Sequence, residues 1–376
     1  MPVRSKWQSL PTEAINPSSL GIDKLNAADI VELMLNEDRR MFEAVRREHE
    51  RIAVGMEMIA SALRKGGRVI FVGAGTSGRL GILESAEMPP TFSTDPELVQ
   101  AVMAGGRDAI FAGKEGVEDN YEEGARSITR LRPTKKDIVV GVSASGMTQF
   151  VRGALTRARK AGARIIFVTC DPGTELQTFV DLTIAPGVGA EVIAGSTRLK
   201  AGTATKLVLN MLTTGAMVRI GKTYGNLMVD VHTGSEKLKD RARRIVNIVT
   251  GVDYDEADRL LKKAHWNVKA AIVMQKTALP YPKALTRLRK AHDSMRQAIG
   301  EDIEPRLRGM LQGHAEAAAV TGGPEGPPLR TEQTENPQLA GRRGGPSGPP
   351  TASPPRRDPG TPRRGGVSAR TTREGE

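Results

Sequence analysis

Residues 68–78 read Arg68-Val-Ile-Phe-Val-Gly73 and run straight into Ala74-Gly75-Thr76-Ser77-Gly78. An apolar run without alternation describes a strand covered on both faces, and the glycines describe a turn that opens a helix. The apolar, helix-like segment Arg79 to Glu87 follows, closed by Pro89-Pro90. The same unit recurs: Asp137-Ile-Val-Val-Gly-Val142 enters Ser143-Ala-Ser-Gly-Met-Thr148 and a helical pattern to Ala161. Working outward, further strands read at Leu98 to Met103, Ala163 to Thr169 and Leu182 to Ala185. Helical periods cover Ala27 to Lys65, parts of Asp108 to Arg130, and Thr203 to Ile220. Strands alternating with helices predict an α/β fold, a doubly wound parallel sheet flanked by helices. After Gly225 the strands stop. Helical patterns at Glu236 to Thr250, Asp255 to Ala264, Asn267 to Gln275 and Lys283 to Ile299 predict a small all-helical C-terminal unit.

The predicted organisation is an N-terminal extension (1–25), a ligand-binding domain (26–235), the helical unit (236–312) and a tail (313–376). From Thr321 on, the chain holds 11 of its 23 prolines, 11 of its 41 glycines and no aromatic residue, too little apolar surface to offset the entropy of ordering it. The tail is therefore expected to be disordered. The formal charge of +12 over 376 residues is concentrated elsewhere, in Arg241, Arg243, Arg244, Lys283, Arg287, Arg289 and Lys290. These lie on helical patterns without an aromatic platform, so a solvated helix face is expected in place of a nucleic-acid surface. No run reaches the roughly 18 apolar residues of a membrane span. A single cysteine, Cys170, and a start without an apolar signal run predict a cytoplasmic protein.

Gly73-Ala-Gly-Thr-Ser-Gly78 also satisfies the dinucleotide pattern G-x-G-x-x-G, but that reading wants an acidic residue ending the second strand. Asp95 precedes the strand instead. Thr76 and Ser77 put hydroxyls into the turn, which suits a single sugar or phosphate held at a helix N-terminus. Ser143, Ser145 and Thr148 repeat that composition after the second strand, with Gly146 admitting close backbone approach; an ordinary helix cap is the plainer alternative. Two such turns on one sheet, both at its carboxyl edge, predict a phosphosugar site. The acidic candidates are Glu84, Glu87, Glu115, Glu118 and Asp119. Glu87 closes the predicted helix, where the macrodipole disfavours its charged form, whereas Glu118 and Asp119 begin one. The loop from Gly189 to Thr203 packs Ser196, Arg198 and Lys200 among glycines before a buried helix. The five histidines show no metal-ligand spacing and none falls in a glycine-rich motif, so neither a metal site, a cofactor nor a serine triad is expected.

The stretches GAGTSGRLGILESAEMPPTF (73–92), EGVEDN (115–120), GVSASGMT (141–148), VGAEVIAGSTRLKAGTATKLVLNMLTTGAM (188–217) and YGNLMVDV (224–231) resemble the bacterial N-acetylmuramic acid 6-phosphate etherases, members of the sugar-isomerase (SIS) domain proteins. The resemblance runs in consistent order from about Leu10 to Gly300 and implies an SIS-type sheet. It also implies a lyase that splits the lactyl ether at C3 of N-acetylmuramic acid 6-phosphate by elimination, followed by water addition, releasing D-lactate and N-acetylglucosamine 6-phosphate in cell-wall sugar recycling. The family's catalytic glutamates fall on Glu87, here in AEMPP, and on Glu118. A carboxyl that favours its protonated form suits donation to the departing oxygen (Glu87); an ionised one at a helix start suits removal of the C2 proton (Glu118). Ser143, Ser145, Thr148 and the N–H of Gly146 would hold the 6-phosphate, Thr76 and Ser77 the sugar, and Ser196, Arg198 and Lys200 would neutralise phosphate or lactate charge. Ala86, Glu84, Met147 and Gln149 depart from the usual family residues and leave both glutamates intact. The family further implies a homodimer with a composite active site. A non-catalytic sugar-phosphate regulator on the same scaffold, as in glucokinase regulatory protein, is the alternative; an aldose-ketose isomerase is a third reading.

Overall fold

The computed structural model describes residues 10–321; the tail expected to be disordered lies outside the described residues from 322 on. Two helices, α1 (Ala27–Arg47) and α2 (His49–Arg64), precede the first strand. Then come β1 (Val69–Gly73), α3 (Gly75–Phe92), β2 (Val99–Met103), the short α4 (Asp108–Phe111), α5 (Tyr121–Leu131), β3 (Ile138–Val142), α6 (Gln149–Lys160), β4 (Arg164–Val168), β5 (Leu182–Ile184) and α7 (Lys200–Arg219). The five strands form one sheet in the order β2-β1-β3-β4-β5, every neighbouring pair parallel. The strand period of two sorts the core. Val69, Phe71, Val140 and Val168 face α1, α2, α3 and α7, while Ile70, Val72, Val139 and Phe167 face α5 and α6. This is the predicted doubly wound sheet. From β1 the chain steps to β2 on one side and then crosses back over β1 to β3, so the order reverses between β1 and β3. Ligands of open α/β sheets bind outside the carboxyl ends of the strands at such a point.

Beyond the sheet the chain is helical: α8 (Glu236–Thr250), α9 (Tyr254–Lys263), α10 (Val268–Thr277), α11 (Tyr281–Lys290), α12 (Met295–Ile299) and α13 (Glu304–Thr321). These helices have their own apolar core, with Val246, Leu261, Ile272 and Val273 fully buried. Basic residues of α8 are engaged within the fold: Arg243 pairs with Asp258 at 2.6 Å and stacks 5.2 Å from the ring centre of Trp266, and Arg244 pairs with Asp240 at 2.9 Å.

Four expectations need correction. Pro89-Pro90 does not close α3, which runs on to Phe92. The prolines cannot donate to the carbonyls of Ser85 and Ala86, but their fixed φ fits a helix, and burial of Met88 and Phe92 holds the last turn in place. Helix α7 begins at Lys200, three residues before the expected Thr203. The stretch Lys283 to Ile299 is two helices, because His292 and Asp293 adopt φ values of 49° and 59°. Helix α13 carries regular backbone to Thr321, past the boundary expected at 313.

Candidate active site

At the carboxyl edge of the sheet, over the crossover between β1 and β3, lies a cavity of about 410 Å³. Its floor is the turn from β1 into α3. Gly73 and Gly78 are required there, since a Cβ on Gly73 would lie 2.6 Å from the nitrogen of Gly78 and one on Gly78 would lie 2.9 Å from the oxygen of Gly73. That close approach places Gly75, Thr76 and Ser77 in the first turn of α3, whose N-cap, Ala74, provides no side-chain acceptor. The opening N–H groups of an 18-residue helix therefore face the cavity with the positive end of its dipole.

The turn after β3 builds the next wall. Ser143, Ser145 and Thr148 line the cavity, and the hydroxyls of Ser143 and Thr148 are 2.8 Å apart. Thr148 occupies the N-cap position of α6, yet its side chain makes no cap bond. The plain cap reading of these hydroxyls therefore fails, and α6 adds a second uncapped N-terminus. Gly146 is placed differently from expectation. Its N–H donates to the carbonyl of Ser143 at 3.1 Å, its carbonyl accepts from the Thr174 hydroxyl at 3.1 Å, and a Cβ there would sit 2.6 Å from Thr174. It shapes the turn and does not line the cavity.

The carboxylates come from elsewhere. Glu118, half-buried in the 3-10 turn Val117–Asp119, lines the cavity with Glu115. Arg79, which the sequence reading passed over, braces this wall: its guanidinium donates to the carbonyls of Ala109 and Ile110, each at 2.8 Å, and of Ala112 at 3.3 Å. Lys114 pairs with Asp108 at 3.1 Å. Glu13 and, from the loop before α7, Gly195 and Thr197 complete the cavity, with Thr205 of α7 behind them.

Comparison with known proteins decides the family. The chain is 46% identical over 297 residues to an N-acetylmuramic acid 6-phosphate etherase of Microcystis aeruginosa, covering 78% of this chain and 97% of that one. It is 48% identical over 296 residues to an N-acetylmuramic acid 6-phosphate etherase of Salinibacter ruber, covering 78% and 95% respectively. It belongs to the N-acetylmuramic acid 6-phosphate etherase family. A sequence model of the glucokinase regulatory protein N-terminal SIS domain matches residues 51–159. Among solved structures, a phosphoheptose isomerase from Francisella tularensis is similar at 18% identity, covering 51% of this chain and 98% of that one with a TM-score of 0.41.

The residues that the etherase family resemblance pointed to are divided by the fold. Thr76, Ser77, Ser143, Ser145, Thr148 and Glu118 share the cavity. Glu87 does not line it: it is exposed on α3, ten residues beyond Ser77, or about 15 Å along the helix axis. Because α3 continues to Phe92, Glu87 is not at a helix end and the dipole argument for its protonation lapses. The carboxyl of α3 that burial pushes up is Glu84, 2% exposed, which accepts from the hydroxyl of Thr213 at 2.7 Å and from the side-chain amide of Asn210.

In the third loop the split is sharper. Lys200 is 3% exposed, and its ammonium is 2.6 Å from the carboxylate of Glu37, so it neutralises a buried acid, not a ligand. Ser196 and Arg198 lie outside the cavity lining, Arg198 being exposed. The loop residue that does line it is Thr197. Among the described residues no group of His, Cys, Asp and Glu could hold a metal ion, and no helix is long and apolar enough to cross a membrane.

Proposed function

We propose that this protein cleaves the lactyl ether of N-acetylmuramic acid 6-phosphate, as a carbon–oxygen lyase of cell-wall amino-sugar recycling in the cytoplasm. The observation that carries this reading is the placement of Glu118 in the same cavity as two uncapped helix N-termini and seven hydroxyls. The N–H groups and the hydroxyls of Ser143, Ser145 and Thr148 suit a 6-phosphate dianion, and Thr76 and Ser77 suit the adjoining sugar. In the open-chain sugar the aldehyde acidifies the C2 hydrogen. One carboxylate takes that proton, the electron pair forms the C2–C3 double bond, and the C3–oxygen bond breaks as a second carboxyl protonates the departing lactate oxygen. Water then adds across the double bond. Glu118 is one member of this pair and Glu87 the other.

Since Glu87 stands eight residues beyond Arg79, the last residue of α3 that lines its own cavity, or about 12 Å along the helix axis, it acts in the site of a second copy of the chain. The surface around it suits such a contact: Leu83, one turn away on the same helix, is 42% exposed, and Met211 and Val218 of the neighbouring α7 are 37% and 48% exposed. Purified protein is expected to release D-lactate from N-acetylmuramic acid 6-phosphate, and Glu87→Gln and Glu118→Gln are each expected to lose about two or more decades of rate. Mixing the two inactive variants under subunit exchange is expected to restore activity, because a mixed dimer holds one site with both glutamates intact. No restoration would place both groups in one chain's site. A folded wild type that binds the sugar phosphate and releases no lactate would make the protein a sensor.

A further inference from the structure

The segment before α1 reads as an extension, yet Glu13 ends in the cavity. How it is held there argues for a task. The 3-10 turn Pro11–Glu13 lies on the loop before α7: the N–H of Gly195 donates to the carbonyl of Thr12 at 3.2 Å, and Thr12 is 1% exposed. Three residues on, buried Asn16 donates to the carbonyl of Ala190 at 3.1 Å and to the carboxylate of Glu37 at 2.8 Å, and Glu37 holds Lys200. The segment is thus stapled to both arms of that loop. Gly195 leaves room for the Glu13 side chain, since a Cβ there would meet a Glu13 carboxylate oxygen at 3.0 Å.

Glu13 is exposed, and among the described residues its carboxylate has no cationic partner. A carboxylate that lines a cavity and is itself unpaired is an open acceptor, and it repels a phosphate. It therefore faces the part of a phosphosugar that carries neutral donors.

We propose that Glu13 is a positioning residue that accepts hydrogen bonds from a hydroxyl or amide N–H of the bound sugar, away from the phosphate. This rests on the phosphosugar reading of the cavity. Losing a hydrogen bond to a charged acceptor weakens binding roughly 10- to 100-fold. Glu13→Ala is accordingly expected to weaken N-acetylglucosamine 6-phosphate by that factor in calorimetric titration, while affinity for inorganic phosphate stays within about twofold. Glu13→Gln, which keeps an uncharged acceptor, is expected to fall between. If the donor is the amide, the Glu13→Ala penalty disappears with glucose 6-phosphate; if it is a hydroxyl, the penalty persists.

Equal loss of sugar phosphate and inorganic phosphate would show that Glu13 only braces the Gly195 loop and would overturn the proposal. So would a variant that binds the sugar phosphate as tightly as wild type, or a wild type that binds none. Lactate release by the wild type is scored separately. A protein that releases lactate while Glu13→Ala binds normally loses the Glu13 role alone; one that releases none loses the etherase reaction while the titrations still decide Glu13.

Discussion

Two loops of similar composition enter this site, and they deploy their polar residues in opposite ways. Ser143-Ala-Ser-Gly-Met-Thr148 directs all three hydroxyls to the cavity. Gly195-Ser-Thr-Arg-Leu-Lys200 directs only Gly195 and Thr197 there and sends its lysine into the interior. The first loop spans the six residues between the end of β3 and the start of α6, and its ties to distant residues run through backbone carbonyls: that of Ala144 accepts from the N–H of Cys170 at 3.0 Å and that of Gly146 from the hydroxyl of Thr174 at 3.1 Å. The second is also fixed through a side chain of its own. The Glu191 carboxylate accepts from the backbone N–H groups of Lys200 at 3.0 Å and Ala201 at 2.9 Å, capping α7, and Glu37 of α1 holds the Lys200 ammonium. A loop anchored through its backbone keeps its hydroxyls for a ligand; a loop anchored through its side chains uses some of them for the fold.

The largest effect that can break this contrast is on stability. Lys200→Met removes the buried cation of Glu37 and leaves it only the exposed Arg40 guanidinium, 2.6 Å from its other oxygen. Breaking one side of a buried pair costs about 3–5 kcal/mol, and Arg40 holds the loss to the lower end of that range. The denaturation midpoint should fall accordingly, while the protein that remains folded should keep its affinity for N-acetylglucosamine 6-phosphate. A Lys200→Met protein of normal stability with lost affinity would return the lysine to the site and dissolve the contrast. Ser145→Ala should do the reverse. Its half-buried side chain carries little of the fold, so stability should move by no more than about 0.5 kcal/mol. Loss of one hydroxyl to a charged ligand should weaken sugar-phosphate binding about tenfold, read by titration.

What could be read from sequence follows the same line. The sheet, the turn at Gly73–Gly78, the second turn at Ser143–Thr148 and the ligand edge were legible because each is written in consecutive residues: an apolar run, then glycine and hydroxyls, then a helical period. The end of α3 was not. Two prolines stop a helix by local rules, and the burial of Met88 and Phe92 in the core keeps this one going. Lys200 sits among glycines and hydroxyls like a ligand contact, and its true partner is 163 residues away. Glu13 was missed for the same reason. Its position depends on contacts between residues 12–16 and the loop before α7, and no periodicity or spacing in the N-terminal stretch records them. Glu87 was a candidate from the sequence and took its catalytic role from the resemblance, but its distance from its own cavity could be seen only once α3 was known to run unbroken from Gly75 to Phe92.

The smallest effect sharpens the contrast through pH. Burial alone would push the Glu37 carboxyl up, but hydrogen bonds from Lys200 and Asn16 and the charges of Lys200 and Arg40 more than offset it and hold it below the ordinary range. A carboxyl that releases its proton more readily in the folded chain than in the unfolded one, where it titrates near 4.3, stabilises the fold fully above that pH. The contribution fades as pH falls through the lowered folded value. In Lys200→Met the main cause of the lowering is gone, so this part of the acid sensitivity goes with it. Unfolding free energy measured from about pH 6 to pH 3 should therefore show wild type and variant converging as the medium becomes acid. A gap that stays constant over that range would mean that the ammonium of Lys200 stabilises α7 by something other than its pairing with Glu37, and the anchoring role of the second loop would have to be sought in Glu191 alone.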